Sequence, residues 1–248
     1  MKIARFKVLL RIAATLVLMS VGALLMLLAA MATLFRLRRF YSEGIATPLG
    51  CLVLKIWGVG FRLHGRIPFS DEQVVYVSNH ISTIDLFVLI ALGLPNTRFF
   101  LSGYLRKLLP LGLIGYLIGV FWTVPQEYTE RRREIFRRAD AVLRRSRESV
   151  YLSPEGERVT TGKIGPFNKG AFHLATSLGV PIVPIFIAIP STINPGRGLN
   201  AAAGVVDVYV LEAIATGDWL IEDVVANKEQ MRQRFVEWNR AYLTGKLI

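Results

Sequence analysis

The stretch VVYVSNHISTID, residues 74–85, decides the fold class. Residues 74–77 form a short β-branched and aromatic run, which is typical of a buried strand. Three polar residues end that run as a turn. Apolar residues 84–92 then predict a helix, which a glycine and a proline close. A strand that leads into a helix in this way is the repeating unit of an α/β sheet.

The same alternation continues toward the C-terminus. Strands are predicted at residues 98–101, 120–124, 150–152, 181–189 and 205–211, and helices at 130–149, 169–178 and 226–243. Strands that alternate with helices predict an α/β class, with a layered sheet and flanking helices. Because no repeat or low-complexity linker divides this region, we expect one α/β domain at residues 61–248.

The N-terminal region is apolar and basic. Residues 12–35 contain no charged residue and, at 1.5 Å per residue, are long enough to cross a hydrocarbon core of about 30 Å. The run is longer than the apolar region of a usual signal peptide, and a basic cluster follows it, so we favour a retained anchor. We therefore expect an N-terminal membrane helix or helical hairpin, within membrane-anchoring helices at residues 1–60.

The arrangement of this anchor stays open at the level of sequence. Both flanks are basic, so the positive-inside rule selects no orientation for a single span. A hairpin in one leaflet, with its bend near Gly22, would place both flanks on one side. The next apolar stretch, residues 48–61, carries only Lys55 and suits a helix in the membrane interface.

The composition excludes several classes of protein. The 248 residues are 52% hydrophobic with a formal net charge of +12, and the mean hydropathy is +0.43, which rules out intrinsic disorder. A single cysteine, Cys51, excludes an internal disulfide and a Cys-rich zinc site, and we expect no metal site. Basic residues flank an apolar run rather than interleave with aromatic residues, which favours membrane lipids over nucleic acid as the partner.

The first group of residues with potential chemistry is a histidine and an aspartate. His80 follows a strand, and Asp85 comes five residues later in the first turn of the next helix. There the carboxylate can accept a hydrogen bond from one imidazole nitrogen, which leaves the other nitrogen as a base. The alternative is a loop histidine and an aspartate favoured by the helix dipole. The other histidines, His64 in a turn and His173 in a helix, are predicted to be structural.

The second group follows another strand, at residues 154–158, with the sequence PEGER. Gly156 allows a ligand to approach the backbone closely, and Arg158 offers a planar fork suited to phosphate. Lys163 and Lys169 follow, so that together these residues can hold an anion. The alternative is a β-turn with a surface ion pair.

The two groups together resemble the glycerolipid acyltransferase family, and within it most closely the 1-acyl-sn-glycerol-3-phosphate acyltransferases. The resemblance rests on His-x4-Asp at residues 80–85, Pro-Glu-Gly-x-Arg at 154–158 and Val-Pro-Ile-Val-Pro at 180–184, and it covers roughly residues 74–211. It implies a layered α/β acyltransferase fold. It also implies a membrane-bound enzyme that moves a fatty acyl group to the free hydroxyl of 1-acylglycerol-3-phosphate.

The resemblance further implies roles for individual residues. His80 would be the general base and Asp85 would orient it. The residues implied in substrate binding are Asn79, Glu155, Gly156 and Arg158. The donor would be acyl-CoA or acyl-carrier protein, used as a co-substrate without any further cofactor. Because both donors are cytoplasmic, the active site would face the cytoplasm at the inner cell membrane, with an apolar tunnel for the acyl chain between residues 105 and 122.

The sequence departs from the family pattern in three places. Glu157 stands where the family usually has Thr, and a second carboxylate beside a phosphate is unfavourable. Residues 125–126 are Pro-Gln where the family usually has Asp-Arg, and residues 102–104 lack an expected lysine. One phosphate-binding arginine is therefore missing unless one of residues 131–133 folds back. These departures leave open a lyso-amino-acid lipid or another lysophospholipid as acceptor, and a non-catalytic lipid-binding protein as the alternative to an enzyme.

Overall fold

The computed structural model describes residues 2–68, 72–193, 196, 198 and 200–246. Strands and helices alternate between residues 75 and 188, as the sequence predicts. The strands of the described residues are β1 Val59–His64, β2 Val75–Ser78, β3 Thr97–Ser102, β4 Phe121–Thr123, β5 Ser149–Leu152, β6 Ile182–Ala188 and β7 Gly204–Val210. The α-helices are α1 Lys2–Ala32, α2 Thr47–Trp57, α3 Asp85–Ala91, α4 Leu109–Leu117, α5 Thr129–Ser146, α6 Gly170–Leu178 and α7 Val224–Leu243.

The strands form one mixed sheet in the order β1-β7-β6-β2-β5-β3-β4. Its pairs are parallel except for β6 and β7, which are antiparallel. Strands β2 to β6 therefore all end at the same edge. In an open α/β sheet, ligands bind at that carboxyl edge, so the topology brings the loops after these strands to one place.

Successive residues of β2 enter different layers of the molecule. Val75 and Val77 pack among helices α5, α6 and α7, whereas Tyr76 packs with α1, α2, α3 and α4 on the other face. This alternation follows from the two-residue period of a strand. Since both faces are covered, all four residues of β2 are buried, as is usual for a parallel strand.

The N-terminal helices form a hairpin, but not the predicted one. Helix α1 runs without interruption through Gly22, so the predicted bend there is wrong. A Cβ at this position would lie 2.7 Å from Leu49 Cδ2, which shows that glycine allows α1 and α2 to pack closely. The chain turns back after α1, and a π-helical segment, Phe40–Ala46, leads into α2. Trp57 Nε1 then donates a hydrogen bond of 3.1 Å to Thr15 Oγ1.

One helix of the described residues, Arg5–Ala32, is long and apolar enough to cross a membrane. Its buried apolar side chains lie at helical spacing against the rest of the fold and are Met19, Ala23, Met26 and Ala30. They share one apolar core with the sheet. The division of the chain into an anchor at residues 1–60 and a domain at 61–248 stays a prediction.

Strand β1 is the main element that the sequence reading missed. The sequence predicts one interfacial helix over apolar residues 48–61 and a turn at His64. Gly58 instead ends α2 in the left-handed conformation, with φ of +69°, and β1 begins at the next residue. His64 is the last residue of that strand. A glycine in an apolar run was the available signal of a helix end.

Candidate active site

A cleft of about 300 Å³ lies at the carboxyl edge of the sheet. It is bordered by the loops after β2, β3, β4 and β5 and by helices α3 and α5. The polar side chains on its walls include His80, Thr83, Asp85, Gln126, Arg132 and Arg158. Its apolar wall includes Leu86, Leu89, Phe100, Leu101, Leu105 and Phe136. The predicted histidine and arginine motifs therefore meet in one cavity, although they are far apart in sequence.

Asp85 and His80 form a hydrogen-bonded pair. Asp85 Oδ2 lies 2.8 Å from His80 Nδ1 and also accepts the backbone N–H groups of Ile81 and Ser82, each at 2.9 Å. An ionised carboxylate only accepts hydrogen bonds, so Nδ1 carries the hydrogen and Nε2 keeps its lone pair. The Asp85 side chain is 1% exposed, whereas His80 is 30% exposed on the cleft side. The arrangement is that of a base held by a buried carboxylate.

Glu155 lies behind the cleft. Its two carboxylate oxygens accept the backbone N–H groups of His80, at 2.6 Å, and Gly165, at 2.7 Å. Burial raises the pKa of Glu155, although these two hydrogen bonds partly oppose that effect. The side chain thus ties the loop that carries His80 to the loop at residue 165. Its predicted contact with substrate stays a prediction.

Asn79 holds the same loop from the other side. Its Nδ2 donates to Ile187 O at 2.9 Å, and Ile187 N donates to its Oδ1 at 2.8 Å. These two bonds continue the pairing of β2 with β6 past the last strand residue. The Asn79 side chain is buried and does not line the cleft, and its predicted contact with substrate stays a prediction.

Gly156 and Arg158 do reach the cleft, as the sequence predicts. Gly156 has φ of +74°, and an added Cβ would lie 2.7 Å from Asn168 Nδ2 and 3.0 Å from Gln126 Nε2. Only glycine fits this turn without displacing both amides. Arg158 Nη1 donates to Thr83 Oγ1, and this contact joins the second motif to the loop between His80 and Asp85.

Three charged residues near the second motif do not line the cleft. Lys163 and Lys169 are exposed, and the structure does not bring them to the cleft wall. Their predicted contact with an anion stays a prediction. Glu157 is also exposed and outside the described residues that line the cleft. Its carboxylate therefore does not line the cleft, so this departure from the family pattern places no negative charge on the cleft wall.

The family model described as Acyltransferase matches residues 60–188, which include both motifs of the cleft. The chain belongs to this acyltransferase family. The resemblance predicted from the sequence is thereby confirmed. The structure itself confirms the α/β class and the N-terminal apolar helix.

Curated proteins and a solved structure resemble this acyltransferase. It is 37% identical over 175 residues to human 1-acyl-sn-glycerol-3-phosphate acyltransferase beta, covering 67% of this chain and 61% of that protein. It is 35% identical over 132 residues to a chloroplastic 1-acyl-sn-glycerol-3-phosphate acyltransferase of Brassica napus, covering 52% and 37%. The chain thus spans less than two thirds of these relatives.

The solved structure extends the likeness over nearly the whole fold. The crystal structure of the 1-acyl-sn-glycerophosphate acyltransferase PlsC from Thermotoga maritima matches with a TM-score of 0.67 and 20% identity. The match covers 93% of this chain and 98% of that one. At this identity, the likeness shows a shared fold, which includes the N-terminal helices as well as the sheet.

Two residues of the acyltransferase cleft were not assigned from the sequence. Thr83 was overlooked because a lone hydroxyl gives no signal of its own. Arg132 was named only within the run 131–133. In α5 it falls seven residues before buried Ala139, so it lies on the stripe that faces the core. An arginine at an otherwise apolar position of an amphipathic helix was the signal that could have identified it.

Proposed function

We propose that this acyltransferase moves a fatty acyl group from acyl-CoA or acyl-carrier protein to the free hydroxyl of 1-acylglycerol-3-phosphate, and that His80 is the general base. The observation that carries the proposal is the His80–Asp85 pair, whose free nitrogen faces the cleft. The names of the human and Brassica napus relatives support this acceptor.

The reaction balances with the groups at hand. His80 Nε2 takes the proton of the acceptor hydroxyl. The oxygen of that hydroxyl attacks the thioester carbonyl of the acyl donor at the same time. The tetrahedral intermediate then expels the thiolate, the C–S bond breaks, and the imidazolium returns its proton to sulfur. Asp85 stays ionised and stabilises the imidazolium. The acyl donor is consumed as a co-substrate, and the proposed route uses no other cofactor.

Asn79 and Glu155 act through His80. Both are buried. Asn79 bonds the two backbone groups of Ile187 on β6, and Glu155 accepts the backbone N–H groups of His80 and Gly165. Errors of about 1 Å in the position of a catalytic group can cost about 10²-fold in rate. We therefore assign both residues to the positioning of His80, and Arg158 to binding of the acceptor.

We propose that the acyl chain extends from the cleft toward a neighbouring apolar cavity. Leu86 and Leu101 line both the cleft and a second cavity enclosed by helices α1, α2, α3 and α4. The walls of that cavity are almost wholly apolar and include Val53, Leu111 and Ile114. The path expected between residues 105 and 122 therefore also uses the N-terminal helices.

Attachment to one leaflet explains the N-terminal helices better than a single span. The middle of α1 packs against α2 and α4, so it belongs to the same body as the cleft. Its other sides expose apolar residues such as Leu16, Val17 and Leu24. Large exposed apolar surface of this kind marks a membrane contact. Because the donors are cytoplasmic, the surface would lie on the cytoplasmic leaflet of the inner cell membrane.

The test is an acceptor panel. Purified protein in lipid is given labelled acyl-CoA or acyl-carrier protein with lysophosphatidate, lysophosphatidylcholine or a lyso-amino-acid lipid. We expect transfer to lysophosphatidate that the His80→Ala protein lacks. Transfer confined to another acceptor would overturn the assigned substrate. No transfer by folded protein to any acceptor would favour the non-catalytic lipid-binding alternative.

A further inference from the structure

We propose that Arg132 of helix α5 is a second phosphate-binding arginine of the cleft, and that it acts with Arg158 on a phosphate monoester of the acceptor. The inference rests on the proposed function and sharpens it in two respects. It names a residue that takes over from the arginine absent at positions 125–126. It also restricts the acceptor to lyso-lipids that end in a phosphate monoester.

The first support is the position of the side chain. Arg132 lies in the first turn of α5, just after the loop that follows β4, and its side chain is half-buried on the cleft wall. Its Nη1 donates to Val124 O at 3.1 Å. A guanidinium has five N–H donors, so this bond fixes the group and leaves donors free for a ligand. Of the three arginines at residues 131–133, Arg132 is therefore the one whose side chain folds back toward the cleft.

The second support is the absence of a counter-ion among the described residues. Four exposed arginines of α5 pair with carboxylates of their own helix: Arg133 with Glu130, Arg137 and Arg138 with Glu134, and Arg144 with Asp140. Arg131 and Arg145 form no ion pair with a described residue, but both are exposed to solvent. Arg132 makes no ion pair in that part of the chain, and burial lowers its pKa. A half-buried cation without a counter-ion is costly. An anionic ligand would supply the missing charge.

The third support is the charge of the cleft. Arg158 likewise forms no ion pair with any described residue. Among the described residues on the cleft wall, the only carboxylate is Asp85, and it is already bound to His80. Gln126 adds a neutral amide whose Nε2 lies beside Gly156. Two planar forks without carboxylate partners suit a dianionic phosphate monoester, which offers three oxygens to bidentate donors.

The other acceptors fit less well. A zwitterionic lysophospholipid would bring a quaternary ammonium group toward two arginines, and a lyso-amino-acid lipid would offer at most a single carboxylate. The exposed position of Glu157 removes the carboxylate that would have opposed a phosphate. The change at residues 125–126 is therefore compensated from the neighbouring helix, and it does not by itself indicate a changed acceptor.

The test uses binding without catalysis. Thermal unfolding of the full chain in detergent is measured with lysophosphatidate, and with monoacylglycerol, which lacks the phosphate, in the absence of acyl donor. A ligand that binds the folded state raises the unfolding midpoint. We expect lysophosphatidate to stabilise the wild type and Arg133→Gln more than monoacylglycerol does. We expect this difference to be clearly smaller in Arg132→Gln, in which Arg158 alone remains. Arg133 is the matched control because it is exposed on the same helical turn.

A kinetic ratio gives the size of the effect. For each variant, kcat/KM for lysophosphatidate is divided by kcat/KM for monoacylglycerol, so that the fraction of folded protein cancels. Loss of a charge-assisted contact should lower this ratio about 10- to 100-fold in Arg132→Gln relative to the wild type. The ratio of Arg132→Lys should lie between those of the wild type and Arg132→Gln. An unchanged ratio, or an equal fall in Arg133→Gln, would overturn the proposal.

The experiments distinguish failure of the proposed acyl transfer from failure of the proposed phosphate site. His80→Ala should abolish transfer but keep the phosphate-dependent stabilisation, because Arg132 and Arg158 remain. Stabilisation without any transfer by the wild type would overturn acyl transfer and support the phosphate site. Transfer to lysophosphatidate with no phosphate-dependent stabilisation in the wild type would overturn the role of Arg132.

Discussion

Two histidine–aspartate pairs with the same 2.8 Å contact occupy different parts of the molecule. In the cleft, His80 Nδ1 meets Asp85 Oδ2. At the outer edge of the sheet, His64 Nε2 meets Asp207 Oδ1, with the histidine on β1 and the aspartate on neighbouring β7. The contact itself is therefore not what distinguishes a base from a structural histidine.

The surroundings of the two aspartates differ. Asp85 is fully buried and its orientation is fixed by two backbone N–H groups. Asp207 is 22% exposed and already faces Arg62, whose Nη1 is 3.5 Å away. The His64 ring stacks on Tyr209, with centroids 4.4 Å apart, and it lines none of the described cavities. A His–Asp contact supports catalysis when the carboxylate is fixed and the second nitrogen faces a cleft.

The largest expected effect separates the two aspartates. Asp85→Asn should lower kcat for acyl transfer about 10⁴-fold, because the amide no longer selects the tautomer with hydrogen on Nδ1. Asp207→Asn, the matched change at the other pair, should leave kcat within about twofold of the wild type. Initial rates at saturating substrate, normalised to folded protein, measure both. Similar losses in the two variants would refute the distinction.

A smaller loss of activity is expected from the positioning residue Glu155. Glu155→Gln keeps the size of the side chain but turns an amide NH₂ toward one of two backbone N–H donors. The loop that carries His80 should then shift, and kcat should fall about 10- to 100-fold with KM for the acceptor unchanged. A rise in KM at constant kcat would instead indicate that Glu155 contacts the substrate.

The pH dependence of stability should also change at this position. Because burial raises the pKa of Glu155 in the folded state, its contribution to stability is full below the unfolded-state pKa and is lost as pH rises through the folded-state pKa. The amide that replaces the carboxyl group in Glu155→Gln cannot titrate. Unfolding midpoints in detergent should therefore fall less steeply in this variant than in the wild type from acidic toward neutral pH. Parallel slopes would show that Glu155 does not titrate in this range.

The smallest effect is expected at the outer pair. His64→Ala removes a stacked ring and a partly exposed contact to Asp207, and the free energy of unfolding should fall by about 1 kcal/mol. Denaturant titration in detergent measures this change. A loss above about 3 kcal/mol would mean that the pair fixes β1 in the sheet more strongly than its exposure implies.

The sequence was sufficient where local pattern determines structure. The β-branched run of β2 predicted that strand. The His80 and Arg158 motifs follow the ends of β2 and β5, and parallel strands bring such ends to one edge of the sheet. The alternation of strands and helices predicted the layers. These features depend on residues close together in the chain, so they needed no knowledge of distant contacts.

The remaining features depend on contacts that the sequence does not reveal. The inward direction of Glu155 depends on the loop at Gly165, and Arg132 reaches the cleft only because α5 packs beside β4. The prediction of a bend near Gly22 is wrong because this glycine instead allows helix α1 to pack closely against Leu49 of α2. Strand β1 was missed because its pairing partner, β7, lies far along the chain.

The most direct measurement compares the two histidines in one assay. Acyl transfer to lysophosphatidate is measured for His80→Ala and His64→Ala, each normalised to folded protein in detergent. We expect a loss of about 10³- to 10⁴-fold for His80→Ala and less than about twofold for His64→Ala. Equal rates in the two variants, or a loss confined to His64→Ala, would contradict the assignment of His80 as the base.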